Sequence, residues 1–187
     1  MIKIGVLISG NGTNLQAVMD ACRLGILPAE VAVVISNQAD AYGLKRAEMA
    51  GIDYLYANDD QKILASLKNR QVDIVVLAGY LKLISKELVQ AFEGRMINIH
   101  PSLIPAFSGK GYYGLKVHQA VIDRGVKVTG ATVHLVDEQF DEGRILIQEP
   151  VQVLASDDAK SLQASVLKVE HRILITAIAD LIQEMNK

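Results

Sequence analysis

The first half of this chain strings together short apolar runs with no polar residue at alternate positions. Residues 2–8, 31–35, 73–77 and 96–99 are such runs, rich in Val and Ile, with a shorter one at 53–56. A strand with one face in water alternates apolar and polar residues, so a continuous run has both faces covered. Helix-like segments lie between the runs. Thr13 or Asn14 is placed to cap the first, which extends to about Arg23, and Gly51 stops the second, at residues 39–50. Asp59 and Asp60 open the third at the positive end of its dipole, and Ser85 caps the fourth. Parallel neighbours are reached only by a crossover, so this alternation predicts an α/β, doubly wound, mostly parallel sheet with helices on both faces.

After residue 100 the texture changes. Residues 101–114 hold two Pro and three Gly and read as an irregular loop. Residues 115–124 are helical, and strands at 127–136 and 144–154 have no long crossover between them, so at least one antiparallel pair is expected. Asp157 or Asp158 opens a last helix to about Glu184. No break in composition marks a second unit. We expect one domain over 1–187, with a nucleotide-binding-type half at 1–95 and a catalytic half at 96–187.

Composition narrows the function classes. Half of the 187 residues are hydrophobic, and 19 basic against 21 acidic residues leave a net charge of −2, with no electrostatic footprint for nucleic acid. The one cysteine, Cys22, excludes an intramolecular disulfide and a cysteine-based zinc cluster; it reads as a small packing residue and suits a reducing, cytoplasmic setting. No run is long enough to span a membrane. The N-terminal run enters a glycine loop directly, so it reads as a buried strand rather than a signal segment.

That loop, Ser9-Gly10-Asn11-Gly12-Thr13-Asn14-Leu15, follows a strand and opens a helix. Free N–H groups and the helix dipole favour an anion there. A dinucleotide fingerprint fits badly, because its third glycine position is Leu15 and the second strand ends in Ser36-Asn37 without an acid for a ribose hydroxyl. A P-loop is excluded by the missing Gly-Lys-Ser/Thr. We expect Gly12, Thr13 and Asn14 to hold a simple phosphate monoester; the rival reading is a strand-to-helix turn that needs glycine for backbone reasons alone.

The fifth run ends in Asn98-Ile99-His100-Pro101-Ser102. Side chains two apart on a strand share a face, so an amide that can hold a developing oxyanion lies beside a ring that titrates near neutrality. His100 also sits beyond the carboxyl end of a strand, where parallel-sheet enzymes place their sites. Of the other histidines, His118 reads as a surface or packing residue, His134 as a structural one, and His171 as able to reach solvent. No metal-ligand spacing occurs, so no metal is expected. The turn at 137–143 supplies Asp137, Glu138, Asp141 and Glu142. A carboxylate near His100 would raise its pKa and fix its ring, and the residues alone leave open which of the four does so.

Together these motifs resemble the phosphoribosylglycinamide formyltransferase family of folate-dependent purine synthesis. The likeness runs over nearly the whole chain: Ser9 to Ala17, Val75-Val76-Leu77-Ala78-Gly79-Tyr80, Asn98-Ile99-His100-Pro101-Ser102-Leu103-Ile104-Pro105, Gly130-Ala131-Thr132-Val133-His134 on to Asp141, and Val169-Glu170-His171. The resemblance implies a Rossmann-like formyltransferase fold. It implies Asn98, His100 and Asp141 as the catalytic trio. Gly12, Thr13 and Asn14 would hold the phosphate of the acceptor, 5-phosphoribosylglycinamide (GAR), and Glu170 its glycinamide end. Leu81, Lys82, Leu83 and Ile84, with Asn98, Asp137 and Asp141, would form the folate pocket. The co-substrate implied is 10-formyltetrahydrofolate, without metal; the partners are these small molecules, not nucleic acid or membrane, in a monomer or homodimer. The chain departs from the pattern at Glu142-Gly143-Arg144, where relatives often carry Gly-Pro, and at Ser165, where many have Arg. The loop at 107–113 is the longer of two family variants and reads either as a lid over GAR or as an ordinary flexible surface loop.

Two rivals remain in view. A 10-formyltetrahydrofolate hydrolase would use water as acceptor; such relatives usually carry an additional N-terminal domain, and the glycine loop argues for a phosphorylated acceptor. A noncatalytic folate- or nucleotide-sensing module would have no need of an Asn98, His100 and Asp141 trio.

Overall fold

The computed structural model describes residues 1–139 and 141–186; Phe140, within the carboxylate-rich turn, and Lys187 lie outside the described residues. The elements run β1 (Ile2–Ile8), α1 (Thr13–Arg23), β2 (Ala29–Ser36), α2 (Tyr42–Met49), β3 (Tyr54–Tyr56), α3 (Asp60–Asn69), β4 (Ile74–Leu77), α4 (Lys86–Ala91), β5 (Met96–His100), α5 (Leu115–Arg124), β6 (Val128–Leu135), β7 (Ile145–Gln152) and α6 (Ala159–Met185). The strands form one seven-stranded sheet in the order β3-β2-β1-β4-β5-β6-β7. The first five are parallel; β6 runs antiparallel to β5 and β7 antiparallel to β6. Helices connect β1 through β5, and β6 and β7 follow one another without a helix between them.

Both faces of the parallel half are buried, as the continuous apolar runs require. Ile4, Val6 and Ile8 of β1 pack with Val34, Ile74, Val76, Ile97 and Ile99 under α1, α2 and α6. Leu7, lying between them, joins Val33, Ile35, Val75 and Met96 against α3 and α4 on the opposite face. Successive strand residues thus feed two separate cores. No helix among the described residues is long and apolar enough to cross a membrane.

Helix starts follow local chemistry at three places. Asp59 accepts from Gln61 N at 2.8 Å, Ser85 from Leu88 N at 3.4 Å, and Asp158 forms a capping box with Ser161. At α1 the expectation fails. Neither Thr13 nor Asn14 caps; Gly12 occupies the cap position in a left-handed conformation, φ 71°, with no side-chain bond. The Asn14 amide is instead drawn to Glu170 of α6, 2.9 Å away.

Candidate active site

Strand order reverses between β1 and β4: β2 and β3 lie on one side, β5 on the other. Ligands of such sheets bind beyond the carboxyl ends of the strands at that point. Here the ends of β1 and β4 are tied together. Ser9 N donates to Gly79 O at 3.1 Å, and Ser9 Oγ accepts from Leu81 N at 2.8 Å. The glycine loop therefore stands beside the Gly79–Leu81 turn, and β5, next to β4, delivers Asn98 and His100 to the same edge.

Asn98, His100, His134 and Asp141 form one buried cluster. Asp141 Oδ2 lies 3.4 Å from His100 Nδ1 and Oδ1 lies 3.5 Å from His134 Nε2. Asn98 Nδ2 donates to Asp141 Oδ1 at 3.2 Å and lies 3.0 Å from His134 Nε2. His134 Nδ1 faces the Leu135 carbonyl at 2.8 Å, so Nδ1 carries the proton and Nε2 is free to accept from Asn98. His100 Nε2 faces the Phe107 carbonyl at 2.9 Å, which requires a proton on Nε2. Gly109 N donates to Asp141 Oδ2 at 2.9 Å.

Of the four carboxylates left open by the sequence, only Asp141 reaches this cluster. Asp137 accepts from its own turn at Gln139 N, Glu138 pairs with Lys86, and Glu142 is exposed. Asp141 does so from a left-handed backbone, φ 58°, a conformation uncommon outside Gly, Asn and Asp. At Gly143 a Cβ would fall 1.7 Å from the Leu135 carbonyl, which accounts for glycine there, while the adjacent Arg144 is exposed.

The expected rise in the His100 pKa is corrected. Burial outweighs Asp141 and the Phe107 carbonyl and holds the ring below the ordinary histidine value, with His134 adding to the drop. Asp141 stays below the usual carboxylate value: burial opposes this, but His134, His100 and the Gly109 N–H together prevail. Both ring nitrogens of His100 thus face acceptors, Nδ1 the Asp141 carboxylate and Nε2 the Phe107 carbonyl.

The residues expected to hold folate divide between two cavities that meet at Asn98 and Asp141. One, of about 400 Å³, is lined by Gly79 to Leu81, Asn98 to Pro101 and the Gly109–Gly114 loop. The other, of about 50 Å³, is lined by Lys82, Leu83, Ile84, Asp137 and His134 among others. Leu81 belongs to the first and is 51% exposed. The Lys82 ammonium is already engaged, at 2.8 Å from Asp60 Oδ1 and 2.9 Å from Asn58 O. A larger cavity, about 800 Å³, lies between α1 and α2 and contains none of the clustered residues.

Glu170, expected at the acceptor, is buried, and burial raises its pKa against the lowering effect of Asn14. Asn14 Oδ1 is enclosed without a partner among the described residues. His118 is buried and its pKa is pushed down to about 4 by burial and by His100, so it is a packing residue. His171 is half-buried, with Nε2 enclosed and without a partner among the described residues. Cys22 is half-buried and its thiol is pushed up to about 11. No group of three or more His, Cys, Asp or Glu among the described residues is placed to hold a metal ion. The sequence reading missed His134 as a member of the cluster, along with the Phe107 carbonyl and the Gly109 N–H.

The chain is similar to known proteins in sequence and fold. A family model described as formyl transferase matches residues 2–178. The phosphoribosylglycinamide formyltransferase of Haemophilus influenzae is 42% identical, over 92% of this chain and 84% of its own length. The chloroplastic phosphoribosylglycinamide formyltransferase of Vigna unguiculata is 44% identical over 97% of this chain, which spans only 61% of that protein. The crystal structure of glycinamide ribonucleotide transformylase 1 from Symbiobacterium toebii superposes with a TM-score of 0.89 at 47% identity, covering 96% of this chain and 86% of that one.

Proposed function

The chain belongs to the formyl transferase family, and from that premise we propose that it moves the formyl group of 10-formyltetrahydrofolate to the amine of GAR, as a single formyltransferase domain. The observation that carries the reading is the Asn98, His100 and Asp141 cluster at the junction of two cavities, beside a glycine loop.

The proposed chemistry follows from the donors present. The amine lone pair attacks the formyl carbon, and the carbonyl pair moves to oxygen. Asn98 Nδ2 and the protonated Nε2 of His100 supply hydrogen bonds to that oxyanion. Collapse restores the carbonyl and breaks the bond to N10, which takes up the proton that the amine loses. Asp141 orients the two donors and counters positive charge that builds on the ring. In the resting arrangement Nε2 is satisfied by Phe107 O, so that carbonyl has to yield its place to the oxyanion.

On the acceptor side, Gly12, Thr13 and Asn14 bind the phosphate through α1's free N–H groups. Glu170 and Asn14 take the glycinamide end, where the unpartnered Asn14 Oδ1 suits an N–H donor. Leu81 to Ile84 with Asp137 flank the pterin, and the 50 Å³ cleft has to widen for a bicyclic ring. The site is that of a cytoplasmic enzyme working on small molecules, as a monomer or homodimer, without metal.

The test is Glu170→Gln, which keeps the size of the side chain and an acceptor for Asn14. KM for GAR is expected to rise while KM for the formyl-folate stays put. An unchanged KM for GAR would remove Glu170 from the acceptor site.

A further inference from the structure

We infer that Arg46 is a positioning residue of the anion-binding loop: it turns the Asn11 carbonyl away from the ligand and sets a positive charge behind the loop. The inference rests on reading residues 10–14 as a phosphate site and adds to that reading a residue from outside the loop.

A loop that binds an anion through backbone N–H groups has to keep its carbonyls, with their negative ends, out of the way. Three carbonyls in this loop could intrude, and each is held by an interior donor. Gly10 O accepts from Gly43 N at 3.1 Å and Gly12 O from Gln16 N at 2.9 Å. Asn11 O accepts from Arg46 Nε at 2.7 Å. The first two donors are backbone groups. The third is a side chain, so a single residue decides where the Asn11 carbonyl points. The N–H groups of Asn11, Gly12, Thr13 and Asn14 have no acceptor among the described residues.

The guanidinium is itself fixed. Nη1 donates to Gln16 Oε1 at 3.2 Å, Nη2 to Asn11 Oδ1 at 3.4 Å, and the group stacks over Tyr42 with Cζ 5.0 Å from the ring centre. It therefore bridges α2, the loop and the first turns of α1. All its hydrogen-bond partners are neutral oxygens, and no ion pair among the described residues includes Arg46. An unneutralised cation is left behind the loop, where it adds to the field of the α1 N-terminus. Close packing keeps this support near: a Cβ on Gly12 would fall 2.9 Å from Gly43 Cα and 3.6 Å from Arg46 Cδ. Lysine has one charged nitrogen and cannot reproduce the fork.

The experiment compares Arg46→Met and Arg46→Lys with the parent chain. Steady-state rates are measured with GAR and with the same acceptor lacking its phosphate, and melting temperature is followed in inorganic phosphate. Arg46→Met is expected to raise KM for GAR roughly ten- to a hundredfold, the range for one charge-assisted hydrogen bond. Its kcat and KM for the formyl-folate should stay within about twofold of the parent values. Arg46→Lys falls between. kcat/KM for the phosphate-free acceptor is unchanged, and the rise in melting temperature given by phosphate in the parent is lost. The inference is overturned if a folded Arg46→Met keeps the parental KM for GAR, or if both acceptors suffer equally. It is also overturned if phosphate does not stabilise the parent. If Arg46→Met fails to fold, Arg46→Lys decides by the same split. A parent that ignores GAR yet loses its phosphate response on Arg46→Met would sink the GAR reading and keep this one.

Discussion

Asp141 holds a left-handed backbone, φ 58°, and aims one oxygen at each of two buried histidines. Asparagine tolerates that conformation and has the same shape, so Asp141→Asn isolates the charge. Its melting temperature is expected to stay close to the parent value while kcat falls. By NMR, the His100 pKa, already below the ordinary value, should drop further once the carboxylate that raises it is gone. His100→Ala and Asn98→Ala should each cost about 10²- to 10³-fold in kcat with GAR binding kept, since each removes one oxyanion donor. Parental turnover in either would remove that donor from the mechanism. His118 gives a stability prediction. Its folded pKa, about 4, lies below the ordinary histidine value of 6.5, so between these pH values the unfolded chain binds the proton and the folded chain does not. Stability is therefore full above about 6.5 and lost as pH falls toward 4. Denaturant titrations of His118→Leu should lose that part of the acid slope; an unaltered slope would mean that His118 is not its source.

Among the elements, the glycine loop packs closely against α2 at Gly43. Gly12→Ala meets both a left-handed φ of 71° and the Cα of Gly43, and is expected to cost about 1–3 kcal/mol in chemical denaturation and to weaken GAR binding. A cost near zero would show that the loop can shift. What the sequence made legible here is local. The parallel strands were readable because each apolar run reports its own burial, and Asn98 with His100 because a strand sets their common face. What stayed hidden depends on partners far along the chain. Asn14 lies inside α1, with Gly12 at the cap, and donates its amide to Glu170, 156 positions away. His134 joins Asn98 through a strand register spanning 36 positions, which alternation along β6 does not reveal. The choice of Asp141 over its acidic neighbours turns on one backbone angle and on the competing bonds of Asp137 and Glu138; it came from the family resemblance, not from spacing.

At the scale of the whole molecule, the sheet brings two functions to one edge. The reversal of strand order between β1 and β4 sets the loop proposed for phosphate beside the turn that lines the 400 Å³ cavity, and β5 adds the proposed oxyanion donors. α6 closes the acceptor side by reaching Asn14 through Glu170. On the function proposed, two substrates meet over one amide and imidazole pair, and the glycine loop chooses the acceptor. The most direct test of that claim is to follow deformylation of 10-formyltetrahydrofolate by the purified chain with and without GAR. Turnover that requires GAR, with formyl-GAR formed in step, is the expected result; deformylation at the same rate without GAR would make water the acceptor and contradict the account.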